Sequence, residues 1–401
     1  MYFTLEAMQA EDGDSLILHF GDAARPRFFL IDGGPTRTGY EQVIRKRLEA
    51  IQQKWAPPRK PLTIDMMMVS HIDADHIEGL LCLTEELLER KRHGAGDRLC
   101  KVLTLWFNSF NETLGDGDSE IFTKLAKEGL AHQAATAMVG GAALPPDLKG
   151  IDAFAAAIIA SVPQGRQLRR NAEELRIKPN SPFEGLVMTA EEGPLTIEWG
   201  DDLTITVLCP EQVRVQKLHD EWERNLKKTP TLSALAQAAA KTVTKDHAFA
   251  NLSSIVVMVE LEKKRILLTG DAVDDDVLKG LKAAGYLKRG KCHLDVLKMP
   301  HHGSRRNMSP EFLSQVTADH YVVSGDGKHG NPAREVLDWI VASRGKNDVY
   351  TIHLTYKKGP EGLARKVNGF LKTKKPGDKY KVSFADEGGS LKVDLLDEID
   401  Y

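Results

Sequence analysis

The stretch Ser70-His71-Ile72-Asp73-Ala74-Asp75-His76-Ile77-Glu78-Gly79-Leu80 constrains this chain more than any other. It follows the apolar run Ile64-Asp65-Met66-Met67-Met68-Val69, which reads as a buried strand. The tight turn leaving that strand carries His71, Asp73, Asp75 and His76. Imidazole nitrogen and carboxylate oxygen are the usual donors to a divalent ion. Packing cannot satisfy four such groups at one strand end, because buried unpaired charge is costly and a cation removes that cost. A solvated acidic loop is the alternative, but such loops seldom carry paired His or start from a strand of Met and Val. The turn reads as a metal site, so the fold must bring further ligands to it.

Three later segments have the same design. Arg265-Ile266-Leu267-Leu268-Thr269-Gly270-Asp271 is an apolar strand ending in an acid. Asp295-Val296-Leu297-Lys298-Met299-Pro300-His301-His302-Gly303-Ser304 ends in paired His, and Tyr321-Val322-Val323-Ser324-Gly325-Asp326-Gly327-Lys328-His329-Gly330-Asn331-Pro332 runs into a His-bearing loop. In each, aliphatic residues give way to Gly or Pro and then to a side chain that can bind metal or substrate. Strands that deliver polar groups at one edge of a sheet are how a rigid scaffold builds a multi-ligand pocket.

With Gly13-Asp14-Ser15, Leu30-Ile31-Asp32-Gly33-Gly34 and Asn251-Leu252-Ser253-Ser254 in order along the chain, this motif set resembles the metallo-β-lactamase fold superfamily of hydrolases. In detail it is similar to the branch that includes the hydrolase domain of ComEC-type DNA-uptake proteins. Asp73 stands where the wider superfamily has the second His of its metal motif, a change that the ComEC-like branch shares. Phe249-Ala250-Asn251-Leu252 stands where the superfamily has a further His.

The resemblance and the alternation of β and α segments together imply an α/β protein, an αββα sandwich. The hydrolase domain is expected over 1–345, with a helical insertion at about 110–195. A small αβ appendage is expected over 346–401. The insertion is read from Ala-rich, helix-favouring runs such as Asp152 to Ala160 and is expected to cover the pocket entrance.

By resemblance, Asp75 and His76 bind one metal, His71 and Asp73 the other, and Asp271 bridges them. One of His301 and His302 completes the Asp75 metal, and the sequence leaves open which. A hydroxide held between the ions is the implied nucleophile, with Asp75, Asp271, His302 and His329 as the catalytic set. Asp14 and Asp32 are expected to hold the ligating imidazoles through hydrogen bonds, and Asn251 to stand beside the metals. Ser304, Arg305, Arg306 and His329 are expected to contact substrate, the two arginines clamping a phosphate. The cofactor is one or two divalent ions, zinc or manganese; the oxygen-rich donor set leans toward manganese.

A net charge of −3 gives no global basic field, so contact with a polyanion has to rest on local patches. Arg166, Arg169 and Arg170 form one such group, and Lys372, Lys374 and Lys375 another; such clusters are usually solvated faces. Cys82, Cys100, Cys209 and Cys292 are scattered, as expected of buried thiols in a reducing compartment. No apolar run approaches the roughly 20 residues of a spanning helix, and the N-terminal residues lack a signal-peptide pattern. The expectation is a cytoplasmic protein with no membrane partner. Its expected function is metal-dependent hydrolysis of phosphodiesters in an anionic substrate, DNA or a nucleotide. The alternatives are hydrolysis of a small ester, thioester or lactone, and a non-catalytic binding subunit with a degenerate site.

Overall fold

A strand that is apolar on both faces has to be covered on both sides, and that requirement sets the layers of this molecule. The computed structural model describes residues 1–57, 60–94, 99–108, 153–200, 203–216 and 253–401, without the side chains of 153–163. Its first group of strands is β1 (Tyr2–Met8), β2 (Leu16–Gly21), β3 (Arg27–Ile31), β4 (Leu62–Met68), β5 (Cys100–Trp106) and β6 (Lys178–Pro179). The second is β7 (Leu195–Trp199), β8 (Leu203–Cys209), β9 (Val256–Leu261), β10 (Lys264–Leu268), β11 (Cys292–Lys298) and β12 (Val316–Val323). The last three are β13 (Thr351–Leu354), β14 (Lys381–Phe384) and β15 (Ser390–Asp394). They form a seven-stranded sheet, ordered β15-β1-β2-β3-β4-β5-β6, and an eight-stranded sheet, ordered β14-β13-β12-β11-β10-β9-β8-β7.

Alternation along the strands divides the apolar residues among three cores. Phe29 and Ile31 of β3 join Ile266 and Leu268 of β10 in the layer between the sheets. Phe28 and Leu30 instead pack outward with helices α1 (Arg45–Trp55), α2 (Ala74–Arg92) and α3 (Ala153–Leu175). On the other side, Leu267 packs with α4 (Asp274–Ala283), α5 (Pro310–Gln315), α6 (Arg334–Ala342) and α7 (Leu363–Leu371). The result is a mixed α/β structure of two large sheets flanked by helices, the αββα layering expected from the sequence.

Segment 346–401, read from the sequence as an αβ appendage, is woven into this body. β13 and β14 extend one sheet and β15 pairs antiparallel with β1 in the other. Of the expected helical insertion, α3 lies among the described residues and packs its Leu168 and Ala172 into the core beneath α2. Residues 110–152 of that insertion, and Asn251, lie outside them. Among the described residues no helix is long and apolar enough to cross a membrane.

Parallel neighbours put their C-terminal ends at one edge, which is where α/β sheets present chemistry. β3 and β4 are parallel, as are β10, β11 and β12. The chain leaving β3, β4, β10, β11 and β12 carries Asp32, the 70–76 turn, Asp271, His301-His302 and Ser324. Two glycines lock the turn onto β3's exit. Gly33 donates its N–H to the His76 carbonyl at 2.6 Å, and a Cβ added to Gly79 would lie 1.9 Å from the Gly33 oxygen. Gly79→Ala is therefore expected to lower stability by about 3 kcal/mol or more, the scale of severe core overpacking. It should weaken metal binding as well, both read from thermal melts with and without added divalent ion.

Candidate metal centre

Asp is a favoured helix N-cap, and Asp73 stands at that position of α2, yet its side chain makes no capping bond. Its Oδ2 lies 3.7 Å from His71 Nε2. Asp75 is in the first turn of α2, where the helix dipole favours a carboxylate. His301 and His302 follow β11 with φ of 47° and 53°, a left-handed pair that costs roughly 1–3 kcal/mol per residue. The excursion turns both rings toward Asp271.

Each imidazole is fixed through Nδ1 and presents Nε2 inward. His76 Nδ1 lies 2.9 Å from Asp32 Oδ2, and that carboxylate also accepts the Ser70 N–H and hydroxyl, each at 2.7 Å. His302 Nδ1 is 3.3 Å from Asp14 Oδ1 and 3.1 Å from the Ser324 hydroxyl. Buried Lys298 pairs with Asp14 Oδ2 at 2.7 Å, balancing its charge. His301 Nδ1 is 2.8 Å from Asn307 Oδ1, whose Nδ2 donates to the Asp271 carbonyl. A carboxylate or amide oxygen at Nδ1 favours the N–H there and leaves a lone pair on Nε2.

Asp271 divides the cluster. Its Oδ1 is 3.4 Å from His76 Nε2 and 3.8 Å from His302 Nε2, and Asp75 Oδ2 is 3.4 Å from the latter. Its Oδ2 is 3.7 Å from His71 Nε2 and 3.4 Å from His301 Nε2. One donor atom from each of Asp75, His76, Asp271 and His302 falls within 4.8 Å of the others, as do donors of His71, Asp73 and Asp75. The Nε2 atoms of His71, His76 and His302, with Asp73 Oδ1 and Asp271 Oδ1, are buried without a hydrogen-bond partner among the described residues. So many inward lone pairs are costly unless a cation takes them. This donor set fits one or two divalent ions.

The electrostatics agree. Burial and the neighbouring His76 charge push the His71 imidazole down to about 3, so it stays neutral. Burial and then Asp75 push the Asp73 carboxyl up to about 8. Burial alone would lower His302, but Asp14 and Asp271 lift it to about 10. His76 is raised in the same way by Asp32 and Asp271, against its own burial. Protons on these rings occupy the place of a cation.

The structure thus brings His71, Asp73, Asp75, His76, Asp271, His301 and His302 together, with Asp14 and Asp32 behind them. Ser304 is buried beside the His pair, its hydroxyl accepting the Arg306 N–H at 3.3 Å. Arg305 and Arg306 are exposed, and Arg305 is 3.5 Å from the surface carboxylate of Glu335. His329 Nε2 is 3.4 Å from Asp12 Oδ2. Sequence reasoning missed Lys298, Ser70, Ser324, Asn307 and Asp12. Lys298 could have been found, since a lysine inside an apolar strand needs a carboxylate partner.

No family model and no curated protein matches the chain. Among solved structures it is similar to the metallo-beta-lactamase fold protein YhfI from Bacillus subtilis, at 12% identity over 98% of this chain and 100% of that one, with a TM-score of 0.39. It is also similar to Zn²⁺-bound PqqB from Methylobacterium extorquens, at 10% identity over 96% and 88%, with a TM-score of 0.34.

The shifts fix a sign for pH. A group raised in the folded state stabilises below its unfolded pKa, and that stability is lost as pH climbs through the folded value. For His302 the loss runs from 6.5 to about 10, and for Asp73 from 3.8 to about 8. His71, lowered from 6.5 to about 3, acts oppositely, but only below pH 6.5. Chelator-treated protein should therefore melt lower at about pH 9.5 than at about pH 6.5, and saturating zinc or manganese should shrink that difference. Equal melting temperatures in chelator would contradict the charge balance described here.

Proposed function

We propose that this chain is a metal-dependent hydrolase of the metallo-β-lactamase type, cleaving phosphodiester bonds in an anionic substrate such as DNA or a nucleotide. The observation that carries the reading is the convergence of unpartnered His71, His76 and His302 Nε2 atoms on Asp75 and Asp271. A degenerate binding subunit would have no reason to keep this set buried and unsatisfied.

Asp75, His76, Asp271 and His302 would hold one ion. His71 and Asp73 would hold a second, with Asp271 shared between them. The spacing leaves His301 as a further donor on the His71 side of Asp271. Zinc suits the imidazoles, while Asp73 in place of a nitrogen donor leans the second position toward manganese. Bound there, a divalent ion lowers the pKa of a water molecule and stabilises charge developing on the attacked group. The chain's own residues do the positioning. Asp32 and Asp14 hold His76 and His302 in one orientation, and Lys298 keeps Asp14 ionised. His329 meets the departing side of the substrate at the rim.

A second reading, hydrolysis of a small ester, thioester or lactone, is favoured by one observation. Arg305 is engaged with exposed Glu335, so its guanidinium is shared with a surface carboxylate. Metal analysis followed by assays on DNA, RNA, bis-p-nitrophenyl phosphate and a neutral p-nitrophenyl ester separates the readings. The expected result is phosphodiester cleavage that needs added metal and falls about a thousandfold or more in Asp271→Ala, with the fold retained. Ester cleavage without phosphodiester cleavage would favour the second reading. Failure to bind any divalent ion at micromolar concentration would overturn both.

A further inference from the structure

The loop after β12 carries two basic side chains that the metal cluster does not use. Its backbone is pinned from several sides. Asp326 Oδ1 accepts the Lys328 N–H at 2.9 Å, Glu361 Oε1 accepts that of His329 at 3.2 Å, and Lys366 Nζ donates to the Gly330 carbonyl. His329 sits at φ 60° between Gly327 and Gly330, both also left-handed. With the backbone fixed, the side chains share one acceptor: Asp12 Oδ2 lies 2.8 Å from Lys328 Nζ and 3.4 Å from His329 Nε2.

Both ends of this arrangement touch the metal cluster. A Cβ added to Gly325 would lie 3.3 Å from His302 Cβ, so the loop leaves β12 against that ring. Gly13, next to Asp12, comes so near the Asp75 carbonyl that a Cβ would be 1.9 Å from its oxygen. Asp12 is only 7% exposed, whereas Lys328 and His329 are 42% and 71% exposed. A buried anion thus holds two side chains whose outer parts face solvent beside the site. Lysine carries three donors, of which Asp12 takes one, so two remain for a ligand.

We propose that Lys328 and His329, held by Asp12, are the anion-binding pair of this site. The group they receive is a phosphate or carboxylate beside the bond that is broken. The proposal rests on the metal-hydrolase reading and gives that reading its substrate class. Donors fixed before the substrate arrives lose little freedom on binding, and a charged donor makes the stronger hydrogen bond. The pair is an alternative to Arg305 and Arg306, both exposed, of which Arg305 meets the surface carboxylate of Glu335.

The test titrates inorganic phosphate, and separately acetate, into metal-loaded protein by calorimetry. The Lys328→Ala/His329→Ala variant should bind phosphate tenfold or more weakly at equal metal content, measured well below its melting temperature, which the loss of both Asp12 partners lowers. Lys328→Arg should stay within about threefold of the natural protein, and Lys328→Gln provides a milder variant if the double change disturbs folding. In Lys328→Gln, which leaves His329 in place, KM for bis-p-nitrophenyl phosphate should rise with kcat little altered, while KM for a neutral ester stays put. Phosphate favoured over acetate assigns the phosphate class, and equal affinities assign a carboxylate as readily. Undiminished phosphate affinity in the double variant overturns the proposal, as does loss confined to Arg305→Ala/Arg306→Ala. Phosphate binding is read without turnover. Lys328-dependent binding without phosphodiester cleavage would therefore sink the reaction proposed above and leave the anion pair standing.

Discussion

Too many carboxylates in too small a volume is the condition around which this molecule is arranged. Asp73, Asp75 and Asp271 meet at one edge of the two sheets, with Asp14 and Asp32 directly behind the rings they face. Lys298 balances Asp14, but among the described residues no lysine or arginine pairs with Asp73, Asp75 or Asp271. Imidazoles face them, and the Nε2 atoms of three have no hydrogen-bond partner among the described residues. Repulsion of this kind would push carboxyl pKa values up or the strand ends apart, unless a mobile cation joins the site. Fold and metal are in this sense one problem. The sheets supply the rigidity that holds like charges together, and the ion supplies the reason to hold them.

That rigidity comes from the layers. The ligands follow directly after β4, β10 and β11, whose side chains are packed on both faces, so each strand end is fixed before its polar residue begins. Hydrogen bonds then set the rings. Asp32 acts on His76 and Ser70 from the other side of the strand pair, while Lys298 and Asp14 act on His302 from within β11 and the β1–β2 turn. Two consecutive left-handed residues at His301 and His302 are affordable because the end of β11 before them and Ser304, Asn307 and Met308 after them are buried.

The layering was readable from the sequence because alternation and Gly or Pro punctuation are local signals. β4, β10 and β11 fall where apolar runs placed them. The cluster was readable for a different reason: His and Asp at strand ends have few other uses. Three things were not readable. The segment after residue 346 shows αβ elements locally, but pairing of β15 with β1 joins positions nearly the whole chain apart, and no local pattern encodes that. The assignment of His302 to the Asp75 side and His301 to the other depends on two left-handed φ values that His does not advertise. Nor does sequence adjacency to the His pair tell which partner a side chain finds: Arg305 and Arg306 are exposed after the turn at Ser304, and Arg305 meets Glu335.

This contrast separates chemistry from recognition. Groups that would hold a metal must be placed within tenths of an ångström and therefore sit at the ends of buried strands. Groups that meet a substrate can sit on loops, where sequence proximity to the motif is a poor guide and contacts from distant segments decide direction. Asp12 and the Lys328-His329 pair show how such a loop gains precision without a strand. A buried carboxylate from the β1–β2 turn fixes the side chains, while the loop's own Asp326, with Glu361 and Lys366 from a later segment, fixes the backbone. Donors held in this way are the condition under which charge at a rim can select a substrate instead of merely attracting one.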